Sequence, residues 1–190
     1  DPWFRPVDLQ LGPDGALYVA DFYNRIIGHY EVPLTHPGRD RERGRIWKIS
    51  YLGNGGNTKA PGKIPDFSRM DEAQLIAEFR SANLTRRMIA MNELVDRVGA
   101  AAVERLKETL NKRDATGTEI VHSLWALQRM GSLDAQSLLK FATYAQRDVR
   151  THVMGIASEV EEFGAVRQTA GVRALQDADP LVQRAAADAL

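Results

Sequence analysis

Hydrophobic and polar positions follow two different periods along this chain, and the change of period predicts two kinds of structure. In VDLQL, Val7, Leu9 and Leu11 alternate with Asp8 and Gln10, and after GPDG the alternation resumes at Leu17 and Val19, as half-buried antiparallel strands require. Gly12-Pro13-Asp14-Gly15 supplies the turn between them: Pro13 presets φ, Asp14 can bond its own backbone, and Gly15 can take a positive φ. A third strand is expected over residues 26–32. A fourth, GRIWKISY over 44–51, follows a charged loop that holds Pro33, Pro37 and Gly38. Short antiparallel strands in this number predict that residues 1–51 form one four-stranded blade of a β-propeller.

Residues 52–69 break the pattern. GNGGNTKAPGKIPDF has no apolar period and reads as a Gly/Pro-rich linker. Beyond it, over 70–190, the period becomes helical. Ser68, with Asp71 three residues on, marks a helix start, and Leu75, Ile76 and Phe79 then share one face. Segments beginning at Leu84 (LTRRMIAMNEL), Gly117 (GTEIVHSLWAL), Val149 (VRTHVMGIASEV) and Val182 (VQRAAADAL) recur at spacings of 33, 32 and 33 residues. Each is preceded by a second amphipathic segment, at 73–79, 102–110, 133–142 and 165–175. Paired helices at such a period predict an α-solenoid of about four pairs. Tetratricopeptide and ankyrin signatures are absent. DPLVQRAAADAL instead opens like a HEAT repeat, with Asp179 as cap, Pro180 in the first turn and alanines that let helices approach closely. The expected fold class is therefore α+β and multidomain, a terminal propeller blade followed by HEAT-like helix pairs.

Charge removes some partners from consideration. Twenty-five Lys and Arg balance 25 Asp and Glu, so no net field draws the chain to nucleic acid or an anionic surface. No apolar run approaches the ~20 residues that span a bilayer. Without cysteine there is neither a disulfide nor a thiolate zinc site in these residues, which leaves the compartment open. The chain opens on Asp1 and closes inside a helical pattern, and it is read as part of a longer protein.

Antiparallel pairing places the start of the first strand beside the end of the second. Arg5 and Asp8 are thereby expected to share an edge with Asp21, Tyr23, Asn24 and Arg25. Guanidinium, carboxylate and amide groups converging there could bind a polyol, a carboxylate or a quinone. The competing reading is that Asp21 and Arg25 pair with each other and tie the loop down. His29, on a strand of mixed polarity, is expected to serve as a structural hydrogen-bonding group rather than a base or ligand. His36 and the arginine-rich GRDRERGR, with Arg41 in it, are expected in a solvated loop at the opposite edge. His122 and His152 are placed on separate repeats at non-equivalent positions, with no metal site implied. Trp3 and Phe4 are read as packing on a neighbouring blade, Trp47 as core, and Glu159, Glu161 and Glu162 as a solvated face. No Gly-rich phosphate loop precedes a helix.

The stretch DPWFRPVDLQLGPDGALYVADFYNRIIGHYEVPLTHPGRDRERGRIWKI resembles the end of the propeller in the PVC-type haem-binding membrane-bound dehydrogenase proteins, and NLTRRMIAMNELVDRVG is similar to the first HEAT repeat that follows it there. The resemblance implies a glucose/sorbosone-dehydrogenase-like propeller that oxidises a sugar or polyol in the periplasm or cell envelope and passes electrons to a c-type haem. The Cys-x-x-Cys-His haem motif is absent here, so no cofactor is expected in this chain and the haem is expected elsewhere in the full-length protein. Pyrroloquinoline quinone or calcium would suit such a propeller, but no residue of this chain calls for either. The expected partners are the remaining blades upstream, a carbohydrate substrate and a protein on the solenoid. The alternative function is non-catalytic: propeller and solenoid surfaces that bind a glycan or protein.

Overall fold

The computed structural model describes residues 2–28, 30–53 and 63–190. It is an α+β structure of two compact units, Asp1–Pro65 and Asp66–Leu190.

The first unit holds an antiparallel sheet in the order β1 (Pro6–Leu11), β2 (Leu17–Asp21), β3 (Arg45–Ile49). Its first turn is built as its sequence dictates. Gly15 takes φ 81° and donates its N–H to the Gly12 carbonyl at 3.0 Å, while Gly12 N–H reaches the Ala16 carbonyl at 2.8 Å. Asp14 accepts from Ala16 N at 3.1 Å and from the Tyr18 hydroxyl at 3.0 Å. It also pairs with Lys48 Nζ at 2.6 Å, so the turn is tied to β3. The Lys48 ammonium is the main reason the Asp14 carboxyl is lowered to about 2. A Cβ on Gly12 would stand 2.3 Å from a Tyr18 ring carbon, so the close approach of that ring requires glycine.

The register places Leu9 beside Val19 and Val19 beside Trp47, with Leu11, Leu17 and Ile49 in the next row. Opposed residues share a face, so these six form one apolar face, while Gln10, Tyr18 and Lys48 lie on the other. Val19 is buried, but Leu9 is 58% and Ile49 54% exposed.

Residues 26–32 do not form the expected strand: within the described part of that span, 26–28 and 30–32, the chain is irregular. Arg39 explains why. Its guanidinium takes the carbonyls of Ile26 (3.5 Å), Val32 (2.6 Å) and Pro33 (3.0 Å) and also that of Gly28, groups that a strand would offer to its neighbour. The sheet accordingly has three strands among the described residues. The connection over 22–44 leaves β2 at Asp21 and returns at Arg45, and the register pairs those two residues. The charged loop therefore starts and ends at the edge that holds Pro6 and Asp21, not at the opposite one. His29 lies outside the described residues, as do residues 54–62 of the linker.

In the second unit the helices that start at Glu72, Leu84, Gly117, Ala135 and Pro180 begin on a side-chain cap that the sequence supplies, whereas those that start at Val103, Arg147, Gly164 and Val172 begin without one. Asp66 caps the 3-10 turn Phe67–Arg69. Asp71, rather than Ser68, opens α1 (Glu72–Ala77) in a capping box with Gln74. Asn83 caps α2 (Leu84–Glu93), and after α3 (Val103–Asn111) Thr116 forms a capping box with Glu119 on α4 (Gly117–Arg129). Asp134 caps α5 (Ala135–Phe141), and α6 (Arg147–Glu159) follows. The short helices α7 (Gly164–Val166) and α8 (Val172–Ala174) flank a π turn. Asp179 caps α9 (Pro180–Ala189), with Pro180 in the first turn.

Packing runs in sequence: α2 against α4, α4 against α6, α6 against α9, while α1, α3, α5 and α8 each pack on the helix that follows them. Phe79, Leu94, Leu106, Leu124, Leu138 and Met154 fill the interior. Charged bonds tie the turns between helices to the helices: Arg80, in the 3-10 turn before α2, to Glu119 of α4 at 2.8 Å, and Arg150 of α6 to both oxygens of Asp177, in the turn before α9, at 2.8 Å. The helices of the row α2, α4, α6, α9 begin at 84, 117, 147 and 180, spacings of 33, 30 and 33. The middle interval is two residues shorter than the expected 32.

Candidate functional site

The sheet edge gathers most of the residues singled out above, but largely as partners of one another. Asp21, at the end of β2, is buried. One carboxylate oxygen accepts from the backbone N–H of Arg5 at 2.7 Å and of Tyr23 at 2.8 Å. The other accepts from the Trp47 indole at 2.8 Å. Burial acts to raise its pKa, but the bonds from Trp47, Arg5 and Tyr23 and the nearby Arg45 charge outweigh it and hold the group below the usual carboxylate range. Asp21 does tie the loop down, through these three donors and not through Arg25.

Asn24 is likewise buried. It donates to the Asp40 carbonyl at 2.7 Å and accepts from Ile26 N at 3.2 Å, which clips the long loop to the end of β2. Tyr23 sits at φ 45°, and its ring stands 5.6 Å from Trp3. The Arg45 guanidinium lies 3.4 Å over Tyr23 and 5.4 Å from Trp47, a stacked cation of the kind arginine favours. Arg5 donates to its neighbour's carbonyl on Phe4 at 2.8 Å. Asp8 stands apart from this cluster: its carboxylate accepts from Leu9 N at 2.9 Å and from Gln10.

Arg25 differs from the rest. It is exposed, and among the described residues its side chain has no hydrogen bond or ion pair. It lines a cleft of about 460 Å³ with Trp3, Arg39, Arg41 and Arg43. Arg41, expected at the other edge, is thus on the same cleft, donating to the Leu34 carbonyl at 2.6 Å. His36, exposed in the same loop, accepts from Gly38 N at 3.0 Å. The edge therefore consists of a saturated support built on Asp21 and Asn24, with Arg25 exposed beside it and its side chain unpaired among the described residues.

The helical unit contains a larger concavity that sequence reasoning missed. A groove of about 560 Å³ lies along α2, α4 and α6, with Arg87, Met88, His122, Trp125 and His152 among its walls. Buried His122 accepts from Arg87 Nε at its Nε2, at 3.0 Å, so its proton resides on Nδ1 and the ring is neutral. Burial first, then the charges of Arg87 and His152, push its pKa down to about 4. Arg87 also donates to the Ser81 carbonyl at 2.6 Å and forms no carboxylate pair among the described residues. Trp125 donates from its indole to His152 Nδ1 at 3.1 Å, the rings meeting edge to face at 6.3 Å.

His122 and His152 are in fact equivalent. Each is the sixth residue of its helix, α4 from Gly117 and α6 from Arg147. Matching Gly117 with Val149 put them out of phase by two residues. The signal was present in the caps: Thr116 and Gln146, each just before its helix, stand 30 apart, like the histidines.

Residues 1–53 match a protein family described as a domain of unknown function, DUF7133. No curated protein and no solved structure matches the chain.

Proposed function

We propose that this chain is the junction of a larger multidomain protein. In this reading residues 1–51 are the last blade of a β-propeller, and the helices from Asp66 onward are a HEAT-like solenoid attached to it. The observation that supports it most is the apolar sheet face of Leu9, Leu11, Leu17, Trp47 and Ile49, most of which stays exposed to solvent. A three-stranded sheet with an open apolar face has little reason to be stable alone. Strands outside this chain cover that face and supply the fourth strand along an open sheet edge. The 30-to-33-residue recurrence of helix pairs, each packed on the next, supports the solenoid reading in the same way.

The chain's own part is scaffolding. Asp21 and Asn24 spend their polar atoms on closing the blade, so chemistry belongs to other blades. The resemblance to the haem-binding dehydrogenases implies what that chemistry is: oxidation of a sugar or polyol, with electrons passed to a c-type haem outside this chain. The test is the full-length protein's visible spectrum on adding aldoses and polyols under anaerobic conditions. Appearance of reduced c-type haem bands supports the oxidoreductase. An unchanged spectrum, together with saturable glycan binding, would instead establish the non-catalytic binding protein.

A further inference from the structure

We propose that the groove between α2, α4 and α6 is a binding site for a small organic anion, a carboxylate joined to a flat apolar body, held by Arg87 and stacked on Trp125. The volume, about 560 Å³, lies within the range of about 300–1,000 Å³ typical of small-ligand pockets. The walls divide the work. Met88, Met91 and Val121 offer apolar surface beside the Trp125 ring, and thioethers adapt readily to flat ligands.

The charge at the site is one-sided. Arg87 spends its Nε on His122 and its Nη1 on the Ser81 carbonyl, both neutral acceptors, and no carboxylate pairs with it among the described residues. A part-buried guanidinium left uncompensated by its own chain is the natural partner of a ligand carboxylate. Its geometry is prepared in advance: the bond to buried His122 fixes the plane of the fork. His122 accepts that bond and carries no competing charge. Trp125, also on the lining, is fixed by its indole bond to His152, so the ring is presented to the groove without the entropy cost of ordering it on binding. The one carboxylate on the lining, Asp148, is engaged by Arg147 at 3.0 Å. This site goes beyond the scaffolding role above and does not depend on it.

The probe is 2-naphthoate, with 2-naphthalenemethanol as the uncharged control. Binding to the whole 190-residue chain is followed by calorimetry and by the indole N–H resonance of Trp125, which is identified among three tryptophans by its loss in Trp125→Phe. The expected result is saturable binding of naphthoate that shifts this resonance. Affinity should be about 10–100-fold weaker for Arg87→Gln and for the alcohol on the wild-type chain. Should Arg87→Gln fail to fold, the comparison of acid with alcohol on the wild-type protein still decides, and Arg87→Lys tests the fork with the charge kept. Equal affinity for acid and alcohol overturns the proposal. So does the absence of any Trp125 shift at saturating probe, or capture of a Phe-terminated peptide where naphthoate fails to bind.

Discussion

Trp47 of β3 donates its indole N–H to the carboxylate of Asp21 at the end of β2, 2.8 Å away and 26 residues earlier in sequence. The same carboxylate accepts the backbone N–H groups of Arg5 and Tyr23, so one buried side chain holds β1, β3 and the start of the long loop together. Asp21→Ala leaves three donors without their acceptor and should lower the unfolding temperature of the sheet unit. Asp21→Asn keeps one acceptor oxygen and should fall in between. Amide exchange of residues 6–11 and 45–49 in the full-length protein checks this, and equal protection in all three variants would show that the bonds contribute nothing.

A second prediction concerns Arg39, whose guanidinium collects the carbonyls of Ile26, Gly28, Val32 and Pro33. Arg39→Ala should release the loop and speed proteolysis between residues 26 and 40. Arg41→Ala removes a single exposed bond to Leu34 and should leave the cleavage rate near that of the wild type.

His122 predicts the pH response of the helical unit. Its folded pKa is about 4 against an ordinary 6.5. Between those values the unfolded chain binds a proton that the folded chain refuses, so stability falls as pH falls. The contribution is complete above pH 6.5 and is lost on going down towards 4, with a slope of up to about 1.4 kcal/mol per pH unit. His122→Gln keeps an acceptor for Arg87 but does not titrate, so urea melts of this variant should show a shallower loss over that window. Identical slopes would mean that His122 is not the sensing group.

Ser123 lies on α4 with its hydroxyl fully buried and unbonded among the described residues. Such a group costs desolvation without return, and alanine is also the better helix former. Ser123→Ala should therefore raise stability by about 0.5–1 kcal/mol. A loss of more than that in urea unfolding would reveal a partner for the hydroxyl.

The sequence patterns were most legible where local chemistry decides structure. The GPDG turn, the alternation of β1 and β2, the Asp179-Pro180 start of α9 and the helical period each follow from a few neighbouring residues. The strand expected over 26–32 was not, because Arg39 captures its carbonyls from up to thirteen residues away, and no local propensity encodes that. The same error displaced Arg41 to the wrong edge. At the candidate sites, chemistry-bearing types at a shared edge were readable, but not that Asp21 and Asn24 are consumed by the fold while Arg25 stays open. The equivalence of His122 and His152 was hidden by aligning on apolar residues, where the residues just before each helix carry the true phase.

The claim that residues 1–51 complete a larger β-architecture is tested most directly by hydrogen exchange of β1 and β3 in this chain and in the full-length protein, measured side by side. Coverage of the Leu9–Trp47–Ile49 face predicts that residues 6–11 and 45–49 exchange within seconds to minutes in the isolated chain and at least about 100-fold more slowly in the full-length protein, the difference that about 3 kcal/mol of added local stability produces. Equal protection in the two proteins would contradict the account, since the sheet would then be stable with its apolar face open.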